Sequence, residues 1–365
     1  MKHVALTAAA AVAIVAPLGA SLSAQEEIKA APSPNEIVNA APAEKWLPIA
    51  ADDLLVMTLA PGRDGMERKV VIQLMPAPFS QGWVENIRTL ARAKWYDGIS
   101  VNRVQDNYVV QWGDPGHDNP EGQGIETKPL PEGLRVMGEE EYLTAGLEER
   151  FDYVKPLVFG MRSAAILGGL STKDLPLIDQ EAEDELFRAY VKDRYAPYNS
   201  FLKGWPIASG KLDAGPFKSS YWPVHCYGMV GVGRNFSPDT GSGAELYTVI
   251  GHAPRHLDRN IALAGRIIHG MGHLSSLPRG SGVLGFYTDE EADLRTPILS
   301  IRVASDLPET EQPQFEYLST ESETFAKYAD ARANRRDPFF IVPAGGADIC
   351  NIPVPIREVD AEDHE

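Results

Sequence analysis

Cysteine is scarce in this chain, which limits how the fold can be held together. Only Cys226 and Cys350 occur among the 365 residues. Two thiols cannot build the disulfide network of a small secreted domain, so the fold must rest on an apolar core, for which a hydrophobic content of 44% is sufficient. An even count permits one disulfide, and two buried free thiols are the alternative. We predict that Cys226 and Cys350 form a disulfide.

Basic residues are in deficit. The chain has 34 Lys and Arg against 51 Asp and Glu, a formal net charge of −17. Nucleic-acid binding draws much of its affinity from basic side chains that neutralise phosphates. The short basic group Arg332, Arg335 and Arg336 is better explained as the solvated end of a helix. The sequence therefore predicts that nucleic acid is not a partner.

Long apolar runs are absent after the N-terminus. Residues 1–3 carry a positive charge, residues 4–18 are apolar, and small residues follow up to Ala24. This pattern is typical of a secretion signal, and its apolar part is shorter than the ~20 residues that a membrane helix needs. An uncleaved membrane anchor is the alternative. We predict a signal peptide over residues 1–24, no membrane span after its removal, and a periplasmic or otherwise exported protein.

Common catalytic and cofactor motifs are also lacking. The sequence has no Gly-x-Ser-x-Gly nucleophile elbow. Residues 231–233 supply half of a dinucleotide fingerprint, but Phe236 stands in the place of its third glycine. Two histidine pairs have the four-residue spacing of zinc ligands; in one of them, His269 and His273, Gly270 occupies the position where a zinc-peptidase motif needs glutamate. We therefore predict no cofactor and no metal.

The composition changes along the chain and divides it into segments. Residues 25–48 are rich in Ala, Pro and Glu without an apolar period, which favours a linker. Strand-like runs begin near residue 49 and resume near residue 226, and amphipathic helical patterns at 139–168 and 179–195 lie between them. The predicted organisation is a signal peptide (1–24), a linker (25–48), a mainly β domain (49–115 and 226–303), a partly helical insertion (116–225) and a C-terminal extension (304–365).

Two blocks of this sequence carry a resemblance to the cyclophilins. Residues 86–98 resemble the first cyclophilin helix and the Tyr-Asp-Gly turn after it. Residues 102–114 resemble the cyclophilin signature, in which an arginine is followed five places on by an aromatic residue and then by Gln-Gly-Gly-Asp. A looser second block resembles, in the family's order and spacing, its Met-Ala-Asn-Ala-Gly, Gly-Ser-Gln-Phe-Phe, Trp-Leu-Asp and Phe-Gly-Arg-Val-x-x-Gly-Met segments at 228–233, 243–247, 256–258 and 264–271.

The resemblance covers about a third of the chain, roughly residues 65–115 and 226–303. It implies a mainly β fold, an eight-stranded antiparallel β-barrel capped by two helices, with an active site on an outer face. It also implies a peptidyl-prolyl cis/trans isomerase, which needs no covalent step and acts on proline-containing polypeptide clients. The sequence does not indicate an oligomeric state.

The resemblance further implies roles for particular residues. Arg103 takes the place of the catalytic arginine, and Gln111 that of a residue which holds the substrate backbone. The predicted substrate-binding residues are Tyr108, Val109, Gln111, Val232, Glu245, Tyr247, His256 and Leu257. Of these, four would line the proline pocket: Tyr108, Val109, Tyr247 and Leu257. Simpler interpretations are a structural salt bridge for Arg103 and a place in the barrel core for Tyr247 and Leu257.

The chain departs from the family at several of these positions. Gly231 replaces a substrate-binding Asn, Glu245 replaces a Gln, and His256 replaces the Trp linked to cyclosporin binding. A carboxylate at 245 would be able to pair with Arg103 and compete with substrate. These departures keep open a second hypothesis, a cyclophilin-like binding module or chaperone without turnover. We also predict that the insertion packs as a helical appendage near the rim of the active site.

Overall fold

The structure, a computed structural model, describes residues 31–62, 64–120, 126–145, 147, 193, 195–210 and 220–359. These residues contain the helices α1 (Pro34–Asn39), α2 (Gln81–Arg92), α3 (Met271–Ser275) and α4 (Glu323–Ala333). They contain the strands β1 (Trp46–Pro48), β2 (Leu54–Leu59), β3 (Arg68–Leu74), β4 (Ser100–Val104), β5 (Val109–Gly113), β6 (Thr144–Ala145), β7 (Tyr198–Leu202), β8 (Trp205–Gly210), β9 (Ser220–Pro223), β10 (Met229–Val232), β11 (Glu245–Val249), β12 (Leu263–His269), β13 (Ile298–Val303), β14 (Phe315–Leu318) and β15 (Ile356–Glu358). None of the helices in this part of the chain is long and apolar enough to cross a membrane.

Eight strands form one antiparallel sheet that curls into a nearly closed barrel. Their order is β13-β2-β3-β12-β10-β11-β5-β4. The two outer strands approach each other at residues 99–101, where Ser100 bridges to Pro297 and the Ile298 amide donates to the Ile99 carbonyl at 2.8 Å. This contact joins the two edges of the sheet at one point, and the backbone of residues 286–287 pairs with β4 beyond it. The mainly β barrel predicted from the resemblance is confirmed.

Two helices of different length pack on the barrel. The apolar side chains of α2 recur every three or four residues and are buried, among them Trp83, Ile87 and Leu90. The second helix, α3, has only five residues, because Pro278 and the glycines after it do not favour a helix. Residues 276–297 instead form a loop, here called the 276–297 loop, that runs beside β4.

The described part of the insertion is a sheet, so the predicted helical appendage is wrong for these residues. Its strands have the order β6-β9-β8-β7. The helix predicted from residue 139 is only a 3-10 turn, Glu139–Tyr142, because β6 follows at once and pairs with β9. Most of the remaining predicted helical stretches lies outside the described residues. Trp205 and Trp222 of this sheet belong to the same buried apolar cluster as the barrel core, so the sheet and the barrel share one core.

Residues 34–48, which the composition assigned to a linker, are structured. Ser33 caps α1: its hydroxyl accepts from the Glu36 amide at 3.3 Å, and the Glu36 carboxylate accepts from the Ser33 amide at 2.7 Å. Pro34 occupies the first helical turn. Trp46 of β1 is buried, and β1 pairs with β14. This capping box was a usable signal that the Ala- and Pro-rich composition hid.

The C-terminal extension is joined to the barrel by a disulfide. Its strands β14 and β15 form a small sheet with β1, and α4 packs against α1. Cys226 and Cys350 are bonded, with an S–S distance of 2.03 Å, a Cα–Cα distance of 5.1 Å and a sequence separation of 124. The extension is thus tied to the segment that precedes β10.

Candidate active site

The predicted site residues lie in a row across four neighbouring strands. Arg103 of β4 pairs with Gln111 of β5, Gln111 pairs with Tyr247 of β11, and Tyr247 pairs with Gly231 of β10. Directly opposed residues in antiparallel strands project their side chains to the same face. The register therefore brings the arginine, the glutamine and the tyrosine together on the outer face of the barrel.

The Arg103 guanidinium is held in place by several acceptors. Its Nε donates to the Leu284 carbonyl at 2.7 Å, and its Nη1 donates to Gln111 Oε1 at 3.0 Å. Nη2 donates to the Gln105 side chain. The guanidinium carbon also lies 5.7 Å from the centre of the Tyr108 ring and 5.2 Å from that of Phe286. Because the 276–297 loop supplies Leu284 and Phe286, this loop fixes the arginine from one side.

Beside Arg103 is a cavity of about 170 Å³. Its apolar side is formed by Val109, Tyr247, Leu257 and Ile261, and we call these four residues the apolar slot. Leu257 comes from the 3-10 turn Arg255–Leu257, between β11 and β12. The remaining lining residues are Arg103, Tyr108, Gln111, Asp118, Asn119, Pro120, Gly233 and Arg234. The cavity is large enough to admit a proline ring, and its polar lining residues border the apolar slot.

Three predicted substrate-binding residues do not line this cavity. Val232 is fully buried in the barrel core. His256 is exposed on the 3-10 turn. Glu245 is buried, with no exposed surface. Sequence reasoning missed another set of lining residues, which come from loops without a periodic pattern: Asp118, Asn119, Pro120, Gly233 and Arg234.

The Glu245 carboxyl is a buried acid whose hydrogen-bond partner is Asn102. Asn102 Nδ2 donates to Glu245 Oε1 at 2.9 Å. Burial raises the pKa of Glu245 from 4.5 to about 8, against the opposing effect of the nearby amides of Asn102, Gln111 and Asn119. The side chain is therefore mostly neutral at pH 7. A protonated carboxyl carries no charge and attracts the Arg103 guanidinium only weakly. Glu245 therefore competes with substrate for Arg103 less than the sequence suggested.

Gly231 leaves room for the Tyr247 ring. A Cβ atom at position 231 would lie 2.3 Å from both Cζ and Oη of Tyr247. The place of the family's Asn side chain is thus filled by a tyrosine from the next strand.

The histidines at metal-like spacing are separated by the fold. His269 ends β12, and His273 lies on α3. In the described ranges no group of three or more His, Cys, Asp or Glu residues is arranged to hold a metal ion.

An eight-stranded barrel with an apolar slot beside a fixed arginine is the arrangement that the resemblance to the cyclophilins implies. The family model described as "Cyclophilin type peptidyl-prolyl cis-trans isomerase/CLD" matches residues 67–303. The chain belongs to this family. It is therefore a peptidyl-prolyl cis-trans isomerase, and its expected substrates contain proline.

A solved structure has the same fold. A cyclophilin from Hirschia baltica, AquaCyp293, is 21% identical with a TM-score of 0.56, over 87% of this chain and 95% of that chain. A Cryptosporidium parvum cyclophilin type peptidyl-prolyl cis-trans isomerase is 10% identical over 69% of this chain and 96% of that chain, and its TM-score of 0.35 is too low to show a shared fold. No curated protein matches the chain.

Proposed function

We propose that this chain accelerates the cis/trans isomerisation of X–Pro bonds in exported polypeptides, with Arg103 as the catalytic group. The observation that carries the proposal is the position of the Arg103 guanidinium. It borders the apolar slot and is held by the Leu284 carbonyl and the Gln111 side chain.

The reaction requires no nucleophile. Rotation about a peptide C–N bond loses resonance and meets a barrier of about 18–20 kcal/mol. The two X–Pro isomers are close in energy, but they interconvert only over tens to hundreds of seconds without a catalyst. A catalyst therefore has only to bind the twisted amide more tightly than the planar one.

The residues of the groove have chemistry suited to this task. The apolar slot would hold the proline ring, and Gln111 would orient the peptide backbone beside it. As the bond twists, the lone pair of the prolyl nitrogen localises and becomes an acceptor. The Arg103 guanidinium would donate to this nitrogen, an interaction that is stronger in the transition state than in either planar isomer.

The required energy is modest. A 10⁵-fold acceleration corresponds to about 7 kcal/mol of differential binding. A positioned charged donor and a fixed proline ring are together of the right order to supply it.

An exported location is supported by two independent features. Residues 1–24 have the pattern of a secretion signal. The Cys226–Cys350 bond is of a kind that persists in oxidising compartments. We expect N-terminal sequencing of the mature protein, recovered from a periplasmic or secreted fraction, to begin near residue 25. A mature protein that starts at Met1 in the cytoplasmic fraction would contradict this part of the proposal.

The second candidate is a binding module without turnover, which the departures at Gly231 and Glu245 favour. The largely neutral state of Glu245 and its contact with Asn102 weaken this candidate. The two functions differ in one assay, the rate of isomerisation of a proline peptide coupled to cis-selective proteolysis. A bound peptide without acceleration would support the binding module.

Variants of Arg103 test the mechanism. Arg103→Ala should lower kcat by about 100-fold or more while peptide affinity changes little, because the donor matters most when the amide is twisted. Arg103→Lys should recover little, since an ammonium lacks the planar fork that Leu284 and Gln111 hold. Arg92→Ala, which removes a surface arginine of α2 paired with Asp52 and Asp306, is the control and should keep full turnover. Full activity of Arg103→Ala would refute the mechanism.

A further inference from the structure

A line of buried polar side chains runs from the apolar slot into the protein. Tyr247 Oη lies 3.0 Å from His225 Nε2, and His225 Nδ1 lies 2.9 Å from Asp258 Oδ1. Arg255 Nε donates to Asp258 Oδ2 at 2.7 Å. All four residues are at most 5% exposed. Apart from Tyr247, none of them lines the cavity, so the line lies behind the slot wall.

The donors and acceptors along this line can be assigned. The Asp258 carboxylate, which also accepts from Arg255, can only accept from His225, so Nδ1 carries the histidine proton. Burial lowers the pKa of His225, which favours the neutral ring. Nε2 then has a free lone pair, and the Tyr247 hydroxyl donates to it.

Tyr247 reaches His225 because the intervening residue has no side chain. Tyr247 lies on β11 and crosses over Gly231 of β10, where any Cβ atom would collide with the end of the ring. His225 lies in the segment just before β10. The Tyr247 ring therefore forms part of the wall of the apolar slot, and its hydroxyl is held by His225 Nε2.

His225 is itself held on two further sides. Its backbone amide donates to Asp258 Oδ1 at 2.9 Å. Its neighbour Cys226 is bonded to Cys350, and Arg255 also pairs with Asp193 at 2.7 Å. A histidine fixed in this way cannot follow a displaced ring, so it determines where the Tyr247 hydroxyl sits.

We propose that His225 is a positioning residue for substrate binding. It is held by Asp258, it accepts a hydrogen bond from the Tyr247 hydroxyl in the space left by Gly231, and it thereby fixes the Tyr247 wall of the apolar slot. The proposal rests on the proposed function, because it takes the slot as the place of the proline ring. It assigns no chemical step to His225, which does not reach the cavity.

This role predicts a particular kinetic pattern. The Tyr247 ring would contact the proline ring in both planar isomers and in the twisted state, so loosening it should weaken all three equally. Uniform weakening raises KM and the peptide Kd and leaves kcat nearly unchanged. Loss of folded protein would instead lower the apparent kcat at constant KM. The two causes are thus separable in one experiment.

The test is a double-mutant cycle between His225 and Tyr247. Isomerase kinetics and the Kd of a fluorescent Ala-Pro-containing peptide would be measured for His225→Phe, Tyr247→Phe and the double variant. We expect His225→Phe to raise KM and Kd about 10-fold in the wild-type background and less than about 2-fold in the Tyr247→Phe background, since the partner hydroxyl is then absent. Tyr247→Phe keeps the ring and can be interpreted even if His225→Phe folds poorly: alone it should raise KM and Kd several-fold at unchanged kcat.

Tyr328→Phe is the matched control. Tyr328 is also a buried tyrosine, and its hydroxyl donates to the Pro353 carbonyl at 2.6 Å. It lies in the C-terminal extension and does not line the cavity. Removal of this hydroxyl deletes the same atom and should leave KM and Kd unchanged. An equal effect of His225→Phe in both backgrounds, or a Tyr247→Phe variant with wild-type KM and Kd, would overturn the proposal. The Kd cycle remains informative if the wild type binds peptide without turnover, an outcome that would reject the proposed function alone.

Discussion

Replacement of Glu245 by glutamine should stabilise the protein by an amount that grows with pH. The side chain is fully buried, and its pKa is raised from 4.5, the ordinary value, to about 8. Between these two values the folded protein keeps a proton that the unfolded chain has lost. Stability therefore falls as the pH rises through this window, and the loss is complete above the folded-state pKa.

The magnitude follows from the two pKa values. A pKa difference of one corresponds to about 1.4 kcal/mol, so the carboxyl costs about 3 kcal/mol of stability at pH 7 and about 4–5 kcal/mol above pH 8. Glutamine is nearly isosteric and does not titrate, and its carbonyl oxygen can still accept from Asn102. The stability gained by Glu245→Gln should thus be close to zero near pH 4.5 and rise by about 1.4 kcal/mol per pH unit up to about pH 8.

Urea unfolding followed by tryptophan fluorescence at about pH 5, 7 and 9 measures this gain. Glu67→Gln, which changes an exposed glutamate in the same way, is the control and should show no such slope. Turnover provides a second readout. Wild-type kcat/KM should fall above about pH 8, because a carboxylate forms beside Gln111, whereas the variant should not show this fall. Parallel stability curves for wild type and Glu245→Gln from about pH 5 to 9 would refute the reasoning.

Three further outcomes are expected. The Cys226–Cys350 bond closes a loop with a sequence separation of 124, so its reduction should lower the free energy of unfolding by up to about 5 kcal/mol. The Cys226→Ser/Cys350→Ser variant should lose the same amount of stability. Equal stability before and after reduction would contradict this prediction. Arg266 is buried, its guanidinium carbon lies 4.2 Å from the centre of the Trp205 ring, and it donates to Gln73 and the Gly204 carbonyl. Arg266→Ala should therefore lower the free energy of unfolding in urea by about 3 kcal/mol. A loss below about 1 kcal/mol would contradict this packing. Cyclosporin should bind weakly or not at all in calorimetry, because His256 lacks the indole of the family's Trp, and a tight complex would show that this loop is misaligned.

Much of the barrel and the row of site residues could be predicted from sequence because both depend on local spacing. Arg103, Tyr108 and Gln111 belong to one hairpin, formed by β4, a short turn and β5, so their spacing along the chain determines their positions on the sheet. The α2 pattern is equally local. Tyr247 lies far away in sequence, but the second block resembled the family closely enough to align it.

The remaining features depend on pairings that a single sequence does not display. Asp118 and Arg234 reach the cavity from loops without any period. The contact of Tyr247 with His225 depends on the absence of a side chain at Gly231. From the sequence, Gly231 could be interpreted only as the loss of a substrate-binding Asn, because the space that it leaves for the Tyr247 ring is not visible there. In the insertion, the residues around Leu143 have a helical period, but Thr144 and Ala145 form a strand because they pair with β9.

The strand order of the barrel also has a consequence for how this protein is made. Leu55 near the beginning of the chain pairs with Val303 near its end, and Gln111 pairs with Tyr247 on the far side of the insertion. Contacts between such distant residues make folding slow, because the entropy of closing a long loop is lost before the strand pairing contributes any stabilisation. The sheet that carries Arg103 stays open at its edges until residue 303 has been synthesised, and open edges are prone to aggregate. The nascent chain therefore has unpaired strand edges that need protection until its last barrel strand has been made.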